Sequence, residues 1–126
     1  MSQDIQRRTI LVVDDEEVIR NFVKAILEFA GYDVLAARDG SVALSLYSEH
    51  QPKVALLLTD HRMPGMTGLQ LAGHLRTLEP RLPVLVMSGT RLDDGLGFSF
   101  VAKPFTHAEL VRKTAEVLDS RQALGA

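Results

Sequence analysis

Five polar side chains in this chain could act together on phosphorus: Asp14, Asp15, Asp60, Ser88 and Lys103. Each ends or directly follows a short apolar run: Ile10 to Val13 before the acids, Val54 to Leu58 before Asp60, Val84 to Met87 before Ser88, and Phe98 to Ala102 before Lys103. Clustered carboxylates repel one another, and an oxygen-rich cluster of this kind suits Mg²⁺, which keeps waters and open positions for phosphate. A carboxylate can also attack phosphorus and form an aspartyl phosphate. Such transfer is mostly positioning and charge neutralisation, which a lysine and a hydroxyl can share with the metal. Taken singly, each residue has a plainer role. Asp14 or Asp15 could only cap a helix, Asp60 could only form a turn before Pro64-Gly65, and Ser88-Gly89 is a common turn pair. Lys103 is more telling, because the chain has four lysines and this one sits on the edge that carries the acids.

The elements that must position these groups follow from hydrophobic period. Ile10 to Val13 is apolar without alternation, so both faces of that strand are buried. Ile19, Phe22, Val23, Ile26, Leu27 and Ala30 keep helical spacing up to Gly31, a natural C′ residue. Asp33 to Ala37 reads as a second strand, Ser41 to His50 as a second helix and Val54 to Thr59 as a third strand. Leu71, Ala72, Leu75 and Leu78 give a third helical stripe, and Pro83 to Ser88 reads as a fourth strand. Phe98 to Ala102 is a fifth strand. The capping box Thr106-x-x-Glu109 opens the last helix, and the tail from Ser120 to Ala126 is expected to fray. Repeated β-α units with fully apolar strands predict an α/β fold: a flavodoxin-like, doubly wound five-stranded parallel sheet of order 2-1-3-4-5. In such a sheet the strands' carboxyl ends share one edge, and ligands bind outside it.

Composition narrows the function classes. The chain of 126 residues fits one domain, with a core of about residues 9–119. No cysteine is present, which removes disulfides, thiolate metal sites and cysteine nucleophiles. The net charge of −2 offers no basic field for nucleic acid. No apolar run reaches the length of a membrane span, and the first residues lack a signal-peptide core, so the expected setting is cytoplasmic. The four histidines lack metal-type spacing and read as solvated or structural, with only His61 near the expected cleft. Met63 and Met66 read as loop packing. No nucleotide-phosphate loop motif occurs.

With these residues in place, the chain resembles the receiver domain of two-component response regulators. The matching segments are Ile10-Leu-Val-Val-Asp-Asp-Glu16, Leu57-Leu-Thr-Asp-His-Arg-Met-Pro-Gly-Met-Thr-Gly68, Val84-Leu-Val-Met-Ser-Gly89 and Phe100-Val-Ala-Lys-Pro-Phe105. The resemblance implies that Asp60 is the phosphoryl acceptor. It implies that Asp15, Asp60 and the backbone carbonyl of Arg62 ligate Mg²⁺, with Asp14 acting through a metal-bound water. Ser88 and Lys103 would contact phosphoryl oxygens, and Gly89, Thr90 and Pro104 would neighbour them. Lys103-Pro104 would be the cis bond of the family. Phe100 matches the aromatic switch position, although a core aromatic on a strand would read the same way. The implied donor is a histidine kinase or a histidine phosphotransfer protein, and the implied output is a changed protein–protein interaction, with no external substrate turned over.

One departure stands out. Between Ser88 and Lys103 lie only Gly89 to Ala102, about seven residues fewer than the family pattern, roughly two turns of helix. The fourth helix, between the fourth and fifth strands, is therefore expected to be shortened or absent, as in receivers attached to hybrid histidine kinases. The segment Gly89 to Gly97 is expected to exchange its amides quickly and to order on phosphorylation. Two alternatives compete. An aspartate-nucleophile phosphohydrolase needs a second Asp two residues after the nucleophile, where this chain has Arg62. A phosphorylation-independent binding module usually lacks the acceptor or metal acids, and both are present here.

Overall fold

The structure is a computed structural model that describes residues 7–50, 53–89 and 97–125. Its elements run β1 (Thr9–Val13), α1 (Glu17–Phe29), β2 (Asp33–Ala37), α2 (Gly40–His50), β3 (Val54–Asp60), α3 (Gly68–Leu78), β4 (Val84–Ser88), β5 (Ser99–Ala102) and α4 (His107–Gly125). All strand pairs are parallel, in the order β2-β1-β3-β4-β5. The expected doubly wound sheet is therefore present, with β1 and β3 in the middle, where an apolar strand loses both faces to helices. Residues 90–96 lie outside the described residues, and with them Thr90 and the segment expected to replace the fourth helix.

Alternation along the strands divides the core into two layers. Leu11, Val13, Leu57 and Val86 point to one face, where Ala43 and Tyr47 of α2 and Leu71, Ala72 and Leu75 of α3 cover them. Ile10, Val12, Leu56, Leu58, Leu85 and Met87 point to the other, under Val23, Ile26 and Leu27 of α1 and Leu110, Val117 and Leu118 of α4. Met63 is buried in the first layer and Met66 packs against it, which is the loop-packing role expected of both. Phe98 joins the same layer, with the Arg76 guanidinium 4.9 Å above its ring. Arg76 also donates Nε–H to the Leu82 carbonyl at 2.7 Å, so one side chain ties α3 to the entries of β4 and β5.

Helix ends follow their local chemistry. The Thr67 hydroxyl accepts from the Gln70 amide, and the Gln70 side chain accepts from the Thr67 amide, a complete capping box at α3. Thr106 and Glu109 exchange the same pair of bonds at α4. Thr67→Ala should cost about 1 kcal/mol in urea unfolding, and an unchanged midpoint would show the cap is not contributing. α4 continues to Gly125, because Arg121, Gln122, Ala123 and Leu124 are all strong helix formers and no breaker intervenes before Gly125.

Candidate functional site

The carboxyl ends of β1, β3, β4 and β5 place the candidate residues along one edge, as their parallel register requires. Asp60 is the last residue of β3 and pairs with Met87, while Ser88 at the end of β4 pairs with Ala102, immediately before Lys103. The Lys103 amide donates to the Ser88 carbonyl at 2.8 Å, extending the ladder by one bond and fixing the base of the lysine. The Lys103-Pro104 peptide is cis. The first turn of α3 approaches Asp60 so closely that a Cβ at Gly68 would overlap the Asp60 carbonyl, so only glycine fits there. The Gly68 amide instead donates to the His61 carbonyl at 2.9 Å, and the Thr59 hydroxyl donates to the Asp60 carbonyl at 2.9 Å.

The plainer roles of the acids can now be judged. The N-cap of α1 is Glu16, not Asp14 or Asp15, and its side chain makes no cap bond. Asp60 does not fold back on its own turn; its Oδ1 accepts from Lys103 Nζ at 2.7 Å. Asp14 is fully buried, accepts from the Glu16 amide on Oδ1, and receives the Arg20 guanidinium on its backbone carbonyl. Its Oδ2 is buried without a hydrogen-bond partner among the described residues and lies 3.8 Å from Lys103 Nζ, close enough for charge attraction but too far for a hydrogen bond. Asp15 is exposed at the mouth.

These contacts set the electrostatics. Burial raises the Asp14 carboxyl to about 6, against the lowering effect of the Glu16 amide, and the charge of Asp60 pushes it the same way as burial. For Lys103 burial works against the ammonium. The hydrogen bond and charge of Asp60, joined by Asp14 and Glu16, outweigh it and hold the group above the ordinary lysine range. Lys103 is therefore a fixed cation inside an acidic ring, the state in which it can neutralise an anion on Asp60.

One carboxylate oxygen from each of Asp14, Asp15 and Asp60 lies within 4.8 Å of the others. This set, with an orphaned buried oxygen on Asp14, fits a hard divalent cation with oxygen ligands. The cleft around it is about 440 Å³ and is lined by Asp15, Glu16, Asp60, His61, Arg62, Ser88, Gly89 and Lys103. Sequence reasoning gave a site role to all of these except Glu16 and His61, and it placed His61 near the cleft as a solvated or structural residue. Glu16 was visible as the third acid of the Asp14-Asp15-Glu16 run, and His61 as the neighbour of Asp60. Phe100 packs, half-buried, against the layer under α2 and α3, a placement that fits the switch and the core reading alike.

Comparison with known proteins decides the family. Residues 10–115 match the model of the response regulator receiver domain. The chain belongs to the response regulator receiver family. Among curated relatives it is 34% identical over 122 residues to the probable transcriptional regulatory protein TcrX of Mycobacterium tuberculosis, covering 91% of this chain and 51% of that protein. It is 34% identical over 128 residues to the aerobic respiration control protein ArcA of Escherichia coli, covering 96% and 52%. The chain thus spans about half the length of the curated relatives it matches. Among solved structures, the receiver domain protein from Clostridium thermocellum superposes with a TM-score of 0.84 at 25% identity, over 93% of this chain and 98% of that one. The receiver domain from the hybrid histidine kinase CckA gives 0.78 at 33% identity, over 87% and 98%. Among the described residues of this receiver, no helix is long and apolar enough to cross a membrane.

Proposed function

We propose that this receiver takes a phosphoryl group onto Asp60 from a histidine kinase or histidine phosphotransfer protein, in a Mg²⁺-dependent step, and that the change alters its binding to another protein. The observation that carries the reading is the Lys103–Asp60 contact of 2.7 Å beside three converging carboxylates. In the transfer, an Asp60 carboxylate oxygen bonds to phosphorus. The bond from phosphorus to the donor imidazole nitrogen breaks, and that nitrogen keeps the electron pair. Asp15, Asp60 and the Arg62 carbonyl would hold Mg²⁺ directly, with Asp14 behind them. When bound, Mg²⁺ supplies charge neutralisation for the phosphoryl oxygens. Lys103 holds a second positive charge at Oδ1 of Asp60, and Ser88, buried at the end of β4, stands where its hydroxyl can meet a phosphoryl oxygen. In hydrolysis a water oxygen attacks phosphorus, the bond to Asp60 breaks, and inorganic phosphate leaves with the carboxylate restored. The domain is thereby a signalling module of the cytoplasm rather than an enzyme for an external metabolite.

A protein donor is favoured over a small one by the surface next to the cleft. On α1, Val18 is 78% exposed and Phe22 50% exposed, and Phe29 lies further along the helix on the outside. Phe22 and Ile19 line a groove with Glu16, Lys103, Pro104 and Phe105, so an apolar face runs directly into the acceptor site. A phosphodonor seated there would reach Asp60 with its apolar contacts already made.

The reading is tested by incubating the chain with acetyl phosphate, with and without Mg²⁺, and following intact mass. One added phosphoryl group that needs the metal is expected; no uptake under any condition overturns the reading. Asp15→Asn should weaken Mg²⁺ binding roughly tenfold or more in a fluorescence or calorimetric titration, because one of few direct ligands loses its charge. An unchanged titration would remove Asp15 from the metal site.

A further inference from the structure

His61 directly follows the acceptor, and its backbone is held on both sides. Its amide donates to the Met87 carbonyl at 3.0 Å and its carbonyl accepts from the Gly68 amide at 2.9 Å. The residue is thereby held at the cleft, which it lines with Asp60, Ser88 and Lys103. Its two nitrogens are in different surroundings. Nδ1 is buried and has no hydrogen-bond partner among the described residues, whereas Nε2 is not among the buried unpartnered atoms. Among the described residues no hydrogen bond ties up Nε2, which leaves it as the ring nitrogen open to solvent on a residue that lines the cleft.

A neutral imidazole carries one N–H, and the surroundings decide where. An N–H at Nδ1 would be a buried donor with no acceptor, a costly arrangement, while a buried bare lone pair is tolerated more readily. The proton therefore sits on Nε2, where it faces the cleft. This excludes His61 as a metal ligand in its place. A ligating Nε2 would need its lone pair free and its proton on Nδ1, bonded to an acceptor that the described residues do not provide.

We propose that His61 Nε2–H is an additional phosphoryl-contact donor, one that bonds an oxygen of the group carried by Asp60 alongside Lys103 and Ser88. The proposal rests on Asp60 being the acceptor. A donor to a phosphoryl oxygen stabilises the charge that the oxygens carry through the transition states of both attachment and hydrolysis. Losing it slows both rates.

The test uses the whole chain, acetyl phosphate and Mg²⁺, with rates of uptake and loss read by intact mass for wild type and three variants. His61→Leu should slow both rates about tenfold, a loss of one charge-assisted hydrogen bond in an open cleft. His61→Gln carries an amide N–H at the reach of Nε2 and should stay within about threefold of wild type, while His61→Asn reaches only as far as Nδ1 and should behave like the leucine variant. Nitrogen-15 spectra of the histidine rings should show the Nε2–H tautomer before phosphorylation and a shifted Nε2 proton after it. Mg²⁺ affinity and melting temperature of the leucine variant should match wild type. A wild type that takes up no phosphoryl group overturns the acceptor reading and this proposal together. A labelled wild type overturns the His61 donor alone if the leucine variant is equally fast, if glutamine fails to rescue, if Mg²⁺ affinity falls in the leucine variant, or if the proton is on Nδ1.

Discussion

Asp60→Asn should abolish phosphoryl uptake, lowering the initial rate with acetyl phosphate by roughly three orders of magnitude or more, the scale of effect expected when a nucleophile is lost. Asparagine keeps the shape of the side chain and can still meet Lys103. It has no anionic oxygen to attack phosphorus and supplies a weaker metal ligand. The loss would be chemical rather than structural, because β3 is held in register by backbone bonds to β1 and β4 that do not involve this side chain. Reductive trapping of the labelled wild type followed by peptide mapping should place the modification on Asp60. A label on another residue, or an Asp60→Asn variant that is labelled at the wild-type rate, would exclude Asp60. Lys103→Met offers a second view of the same site. It removes the cation 2.7 Å from the acceptor but leaves the acceptor itself, so uptake should fall less than in Asp60→Asn while the metal still binds.

Much of this arrangement was legible in the chain because parallel sheets make strand ends informative. Once Ile10 to Val13, Val54 to Leu58 and Val84 to Met87 are recognised as doubly buried strands, topology alone brings Asp14, Asp15, Asp60 and Ser88 to one edge. Lys103 joins them because β5 is parallel to β4. What could not be read is what depends on the third dimension at single-atom scale. Asp14 and Asp15 are adjacent and chemically identical, yet one is fully buried and the other exposed, because the chain turns from strand into helix between them. The division of His61 into an enclosed Nδ1 and an accessible Nε2 has no signature in sequence spacing. The run of α4 to Gly125 was obscured by a different cause: its last residues lack the apolar periodicity that marks a packed face, so only their intrinsic propensity favours a helix.

The burial of Asp14 carries a stability effect of defined sign. Its carboxyl titrates near 6 in the folded protein, above the ordinary value of 3.8, so the folded state holds this proton more tightly than the unfolded chain. Stability from this group is fully present below about pH 4 and is lost as the pH rises through 6. At pH 7 the buried anion is then a net cost, at most about 3 kcal/mol from the shift and nearer 2 kcal/mol once water in the cleft is allowed for. Asp14→Asn removes the charge and most of the desolvation penalty while keeping an oxygen to accept from the Glu16 amide. In metal-free buffer at pH 7 the variant should therefore be more stable than wild type by about 2 kcal/mol, a shift of several degrees in melting temperature. The gap should close as the pH is lowered from 7 to 4, because wild-type Asp14 then takes up its proton and becomes neutral as well. Adding Mg²⁺ at pH 7 should narrow the gap from the other side, by raising the wild type more than the variant. A variant less stable than wild type at pH 7, or a gap that does not change between pH 7 and 4, would show that Lys103 at 3.8 Å already compensates the buried charge. The expected result instead makes Asp14 a residue kept at the expense of stability, as buried carboxylates facing a cation site commonly are.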